Sequence, residues 1–184
     1  MRKVIYAINL TLDGCCDHTK GAGNAEIHNY FADLIQDNGL LVYGRITYQL
    51  MVPFWPDVAR DQSMDETANR FARVFDAADK LVFSKTLDET EDHNTRIIRT
   101  DPLDEIRRLK QQPGKNILLG GVDLPSQLIA AGLVDEYYFV YQPILAGEGR
   151  RLLDLTTLPG KFELKLVESK IFKSGGVALH YVKQ

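Results

Sequence analysis

Apolar residues fall along this chain in two alternating textures: short continuous runs, and longer stretches where they recur at helical spacing. The first run, residues 3–12, contains Val-Ile-Tyr-Ala-Ile-Asn-Leu-Thr-Leu, broken only by Asn9 and Thr11. That is the profile of a central strand buried on both faces. It stops at Asp13-Gly14, and a loop rich in glycine and polar residues continues to Asn24. Residues 26–37 then set Ile27, Tyr30, Phe31, Leu34 and Ile35 on one stripe of a helix, which Gly39 ends. A second buried strand, 40–43, runs into Gly44-Arg45. A short helix is predicted over 46–51, stopped by Pro53 and Pro56, which bracket Trp55. A further helix over 64–78 has Phe71, Val74 and Phe75 on its inner face, and strand 80–83 ends at Ser84-Lys85-Thr86.

The acidic loop 88–92 is predicted to be exposed, and 96–99 forms a short strand. A helix spans 102–112, with Pro102 in the first turn, where proline is tolerated. Then comes a run from Asn116 that breaks at Gly120-Gly121, resumes as a polar-apolar pattern to Gly132, and is followed by the aromatic run 136–141. Strand, glycine turn, short helix and strand in about thirty residues is the size of a βαβ unit. Pro143, Gly147 and Gly149 close it. Runs 162–172 and 177–182, flanking Lys173-Ser-Gly-Gly176, read as an antiparallel hairpin. The predicted order is β-α-β-α-α-β-β-α-β-α-β-β-β. It describes an α/β protein with one mostly parallel sheet, helices on both faces and a terminal antiparallel hairpin.

Composition narrows the classes. With 184 residues, 45% hydrophobic and 26% charged, the chain fits a single domain over 1–184 that folds without staples. A net charge of −3, with scattered Lys and Arg, leaves no basic footprint for nucleic acid or an anionic membrane. No apolar stretch approaches the roughly 18 residues a membrane span needs. The chain opens directly into a strand without a secretory h-region, so a cytoplasmic protein is expected. The only cysteines, Cys15 and Cys16, are adjacent, a spacing that disfavours a structural disulfide and supplies no four-ligand metal set. They read as reduced thiols, with no metal site.

Candidate chemistry gathers at three strand ends: Gly44-Arg45-Ile46-Thr47, Ser84-Lys85-Thr86 and Gly120-Gly121-Val122-Asp123. In a parallel sheet these ends fall along one edge, where open α/β sheets bind ligands. Glycines admit close approach to the backbone, helix starts hold anions, and one Arg and one Lys suit a ligand with several phosphates. Each feature also fits a purely local role: Thr47 and Ser84 as caps, the glycine pair as a turn.

Leu10-Thr-Leu-Asp-Gly14, Leu41-Val-Tyr-Gly-Arg-Ile-Thr-Tyr48, Leu81-Val-Phe-Ser-Lys-Thr-Leu87, Ile117-Leu-Leu-Gly-Gly121 and Gly132-Leu-Val-Asp-Glu-Tyr137 resemble the dihydrofolate reductase superfamily. The likeness is greatest to its branch containing the riboflavin-biosynthesis reductase domain, RibD C-terminal-like, which Pro143-Ile-Leu-Ala-Gly-Glu-Gly149 also resembles. It spans nearly the whole chain in order. The resemblance implies a three-layer α-β-α fold like that of dihydrofolate reductase and a hydride transfer from NADPH to a small heterocyclic substrate, of which the riboflavin-type pyrimidine is the first candidate. It implies that Gly44, Arg45 and Thr47 bind cofactor phosphates, that Ser84 and Lys85 lie beside the adenosine 2′-phosphate, and that Gly120 and Gly121 lie against the pyrophosphate. Val122 and Leu124 then stand at the next helix start, and the first strand, around Asn9, lines the nicotinamide. A dihydrofolate or pterin reductase paralogue and a non-catalytic NADPH-binding module are the alternatives.

On the substrate side, Glu26 stands near the position of the family's helix carboxylate, and Asp13 points towards the same cleft. These two are the candidate catalytic carboxylates, although Glu26 also fits a cap and Asp13 a turn. Trp55 fits either a roof over a ring-shaped substrate or an aromatic wedge in the core. His28 and His180 receive no role. The resemblance also implies a homodimer, formed through the apolar strand 137–141 and the terminal hairpin, residues that equally fit the core.

Overall fold

The computed structural model describes residues 1–21, 23–90, 92–152 and 160–184. The elements are β1 (Val4–Thr11), α1 (Ala25–Asn38), β2 (Leu40–Gly44), α2 (Arg45–Met51), α3 (Phe54–Asp61), α4 (Glu66–Ala77), β3 (Asp79–Phe83), β4 (Thr95–Ile98), α5 (Pro102–Gln111), β5 (Ile117–Leu119), α6 (Asp123–Ala130), β6 (Glu136–Gln142), β7 (Leu164–Ile171) and β8 (Val177–Lys183). The strands form one sheet in the order β4-β3-β2-β5-β1-β6-β8-β7, parallel from β4 to β6 and antiparallel at β8 and β7.

The continuous apolar runs are explained by burial on both faces. Val4, Tyr6, Leu40, Val42, Leu81, Phe83, Ile117 and Leu119 pack in one core with Ile106 and Leu109 of α5 and Leu124, Leu128 and Ile129 of α6. The alternate residues Ile5, Ala7, Leu41, Tyr43, Val82 and Leu118 pack in a second core with Ala32, Leu34 and Ile35 of α1, Tyr48 of α2 and Phe71 and Phe75 of α4. Strand alternation thus sends one sequence into two cores, giving the expected α-β-α layering.

Three expectations need correction. Pro53 and Pro56 do not merely stop α2; they open a helix of their own. Pro53 is the N-cap of α3 and Pro56 lies in its first turn, where a missing N–H removes no intrahelical bond. The acidic loop is not uniformly exposed. Asp92 is buried, because Lys80, also buried, reaches it at 3.1 Å and Thr95 Oγ1 donates to it at 2.7 Å. Glu91, within that predicted loop, lies outside the described residues. Finally, the aromatic run of β6 is interior, paired with β1 on one side and β8 on the other, with Tyr137 and Val140 buried. The exposed edge is β7, in which Leu166, Val167 and Ile171 are 49%, 54% and 80% exposed. Both cysteines are free, in keeping with reduced thiols.

Candidate functional site

The strand order brings the turns singled out by sequence to neighbouring positions on the carboxyl edge of the sheet. Ser84-Lys85 follows β3, Gly44-Arg45 follows β2, Gly120-Gly121 follows β5, and Asn9 to Asp13 closes β1. The chain visits them as β1, β2, β3, β5, so this adjacency comes from topology alone. Two of the turns touch. Gly121 has φ +87°, and a Cβ there would overlap Thr47 Oγ1, while a Cβ on Gly120 would overlap the Tyr43 ring. Tyr6 Oη donates to the Gly121 carbonyl at 2.8 Å and holds the turn from below. Both glycines are therefore required by packing, whatever else they do.

The helix starts divide into two kinds. Asn24, Asp65 and Asp101 cap α1, α4 and α5 by accepting backbone N–H groups with their own side chains. Gly44, Pro53 and Val122, which precede α2, α3 and α6, offer no side-chain cap. The first N–H groups of a helix have no intrahelical acceptor, so the touching turns into α2 and α6 present donors that, among the described residues, no side chain takes up at the caps. Leu124 is buried in the core, with its Cβ packed against the Gly44 turn. Asp123 in the first turn of α6 is paired with Arg150.

Cations surround this edge. Arg45 is exposed and contacts Gln49 at 3.0 Å, and Lys85 is exposed; among the described residues neither has an acidic partner. Ser84 is partly committed: its Oγ accepts from Thr86 N at 3.2 Å and Leu87 N at 2.9 Å, closing its own turn. Arg99, just beyond β4, donates to the carbonyls of Leu87 at 2.8 Å and Ser84 at 3.4 Å. It is a third cation at this corner that the sequence pattern, read simply as a strand end, did not single out.

The two candidate carboxylates are not brought together. Asp13 accepts from Thr11 Oγ1 at 2.5 Å, Ala146 N at 3.1 Å and Gly147 N at 2.9 Å, and Arg151 lies at 3.4 Å. It ties the loop after β1 to the loop after β6, and the Thr11 and Ala146 hydrogen bonds hold its carboxyl well below the usual carboxylate range. Glu26 accepts from Lys173 N at 2.9 Å and Ser174 N at 2.8 Å, which fastens α1 to the β7–β8 turn and lowers its pKa. Both are ionised clasps at neutral pH, a state unsuited to proton donation.

Asn9 lies on the α1 side of β1, and its Oδ1 is buried without a hydrogen-bond partner. Trp55 is half-buried, sits edge-on to Phe71 at 4.6 Å and to Phe54 at 5.0 Å, and packs against the second core. His28 meets the same ring at 5.8 Å. Among the described residues no cluster of His, Cys, Asp and Glu could hold a metal ion, and no helix is long and apolar enough to cross a membrane.

Comparison with known proteins places this geometry. The model of the RibD C-terminal domain matches residues 2–178. The uncharacterized protein YyaP of Bacillus subtilis strain 168 is 30% identical over 98% of this chain and 94% of its own, and YwjB of the same strain is 27% identical over 99% and 98%. Among solved structures, a protein of Shewanella sp. PV-4 provisionally assigned to riboflavin biosynthesis superposes with a TM-score of 0.71 at 18% identity over 99% of both chains. A pyrimidine reductase-like protein of Corynebacterium diphtheriae gives 0.67 at 12% identity, over 100% of this chain and 92% of that one.

Proposed function

The chain belongs to the RibD C-terminal domain family, and from that premise we propose that it is a cytoplasmic, NADPH-dependent reductase that passes a hydride to a small heterocycle, of the kind reduced in the riboflavin pathway as 5-amino-6-(5-phosphoribosylamino)uracil. The observation that carries this reading is the contact between the two uncapped turns, Gly44 into α2 and Gly121 into α6, beside Arg45 and Lys85. Backbone donors without side-chain caps and cations without acidic partners form an anion cradle.

In this reading the amides around Gly44 to Thr47 and Gly121 to Leu124 bind the cofactor's phosphates, with the Thr47 hydroxyl between the two turns, while Gly120, whose own N–H is taken by the Val42 carbonyl, lets the pyrophosphate approach the backbone. Arg45 and Lys85 take the 2′-phosphate, an extra charge that favours NADPH over NADH. Ser84 and Arg99 hold Lys85 in place by fixing its turn. Asn9, with its unmet acceptor, faces the ring end of the groove. The bound nicotinamide supplies the hydride. The protein's contribution is to bind, orient and exclude water, and Asp13 and Glu26 keep the loops around the site fastened. Two copies pair through the exposed edge β7, in which Leu166, Val167 and Ile171 face solvent.

Calorimetric titration with NADPH and NADH, followed by absorbance assays of NADPH oxidation over the pyrimidine intermediate and dihydrofolate, tests the reading. NADPH should bind more tightly than NADH, and one ring should be turned over. Binding without turnover would reduce the protein to a cofactor-binding module, and no NADPH binding would overturn the reading.

A further inference from the structure

Tyr6 lies in the middle of β1, in register with Leu119 of β5 on one side and Tyr137 of β6 on the other. Its ring is fully buried in the first core, edge-on to Phe139 at 6.2 Å. The Gly121 carbonyl, to which its hydroxyl donates at 2.8 Å, stands two residues beyond Leu119. A phenol spans that gap, whereas a serine or threonine at position 6 would fall short. Burial pushes the pKa of the hydroxyl up, so it stays a donor across the working pH range.

The turn it meets is pinned at three points. The Gly120 N–H is taken by the Val42 carbonyl at 3.2 Å, and the Gly121 carbonyl by Tyr6. The Val122 carbonyl is taken by Ser126, whose N–H and Oγ donate to it at 2.9 and 2.7 Å. Between those pins lie the N–H groups of Gly121 and Val122. Among the described residues no carbonyl or side chain accepts from either.

Tyr6 sets the direction of one of these donors. The Gly121–Val122 peptide is trans and planar, so its C=O and N–H point opposite ways. With the C=O held on a fully buried hydroxyl, the Val122 N–H is aimed out of the core at the carboxyl edge of the sheet, where Gly121 meets Thr47. A phenylalanine would fill the same space in the core but leave that carbonyl unmet. Gly121 is only half-buried, and a residue without a side chain can rotate its carbonyl out to water. The same rotation would turn the Val122 N–H inward and set an oxygen in its place, which repels an anion.

We propose that Tyr6 is a positioning residue for cofactor binding: by holding the Gly121 carbonyl from inside the core, it keeps the Val122 N–H turned towards the pyrophosphate without touching the ligand itself. This rests on the reductase reading and adds to it a residue that acts through the backbone.

The test compares the full-length wild type with Tyr6→Phe by calorimetric titration with NADPH, NADH and ADP-ribose, which share the pyrophosphate. Melting temperature and amide NMR spectra of isotope-labelled protein are recorded alongside. In the wild type, NADPH should shift the Val122 amide resonance downfield, as an N–H that gains a charged acceptor does. Tyr6→Phe should bind about tenfold to a hundredfold more weakly, the scale of one charge-assisted hydrogen bond, and by the same factor for all three ligands. The preference for NADPH over NADH should therefore be unchanged, while Tm falls by a few degrees. A Tyr6→Phe protein that melts lower yet binds all three ligands as the wild type does would overturn the proposal and leave the hydroxyl a structural bond only. A loss confined to NADPH would overturn it as well, by moving the effect to the 2′-phosphate. The wild-type spectrum decides the question even where Tyr6→Phe does not fold: a Val122 amide that NADPH leaves unmoved refutes the role. A wild type that binds none of the three ligands would sink the reductase reading, and this proposal with it. Unchanged affinity in Tyr6→Phe beside a wild type that binds would remove Tyr6 alone.

Discussion

The two ends of the central sheet are built on opposite terms. At the amino end several polar side chains are spent on one another. Lys80 pairs with Asp92, Lys110 donates to Asp135 at 2.5 Å, and Asp135 also accepts from Val4 N at 2.8 Å. Glu136 takes Lys3 at 2.5 Å and His180 at 3.1 Å, and Asn116 links Lys3 N to Asn38. At the carboxyl end two helices start without side-chain caps, Arg45 and Lys85 lack acidic partners, and Asn9 is unmet. One end has its polar groups paired, and the other mixes committed groups such as Asp13 and Glu26 with the uncapped turns on which the proposed cofactor site draws. Variants at the first should therefore move melting temperature, and variants at the second should move binding.

The largest effect is expected at the closed end. Asp92→Ala leaves the Lys80 ammonium buried without its partner, a change that costs about 3–5 kcal/mol. In a chain of this length that lowers Tm by roughly 10 °C, readable by calorimetry, while NADPH affinity of the folded protein should hold. The double variant Lys80→Met with Asp92→Leu should recover most of the loss, since an apolar pair of similar volume is often no worse than a buried ion pair. If Asp92→Ala instead weakened NADPH binding at unchanged Tm, the division of labour between the ends would be wrong.

Gly121 is where the two terms meet, because its φ of +87° and its contact with Thr47 make it a packing residue inside the ligand edge. Gly121→Ala should cost stability, on the order of 1–3 kcal/mol for a strained backbone, and also displace the α6 entry. Both Tm and NADPH affinity should fall together. A loss in Tm alone would confine the glycine pair to turning the chain.

How far the sequence disclosed these ends follows from what each depends on. Two-sided burial produces continuous apolar runs, so the parallel strands were legible, and Gly44, Ser84 and the Gly120-Gly121 pair stood out as breaks at their ends. α3 was hidden because Pro53 and Pro56 read as stops, whereas first-turn positions tolerate them. Asp92 read as solvated because its burial depends on Lys80 threading back beneath it. The remaining gaps concern commitments. Nothing in the string shows that Ser84 already closes its own turn, that Asp13 holds the amides of Ala146 and Gly147, or that Asn9 Oδ1 is buried without a hydrogen-bond partner. Those are properties of the neighbours present or missing in space.

Arg45→Ala sharpens the comparison from the open end. The side chain is exposed and, among the described residues, hydrogen-bonds Gln49 without an acidic partner, so stability should stay within about 0.5 kcal/mol of wild type. NADPH affinity should drop about tenfold to a hundredfold, the scale of one charge-assisted hydrogen bond, and NADH affinity should drop less. Equal losses for the two cofactors would remove Arg45 from the 2′-phosphate and place it on the shared pyrophosphate.

Glu26 gives the smallest expected effect and the finest test, because it stands at the ligand edge yet is bonded like a residue of the closed end. Its pKa is lowered from 4.5 by the Lys173 and Ser174 amides. The folded state thus resists protonation more than the unfolded chain, so the carboxylate's stabilising contribution is complete above about pH 4.5 and is lost as pH falls through the lowered folded value. Glu26→Gln keeps an acceptor but removes the charge. It should melt slightly below wild type at neutral pH, and the difference should close in acid. A difference that stays constant down to low pH would assign the effect to altered packing instead of charge. The same variant decides the catalytic question. A clasp predicts that kcat keeps its pH profile when the charge is removed, whereas a proton donor would make a limb of that profile disappear in Glu26→Gln. The two backbone amides on its oxygens argue for the clasp, because a carboxylate stabilised as an anion by fixed donors is costly to protonate at the moment a hydride is transferred.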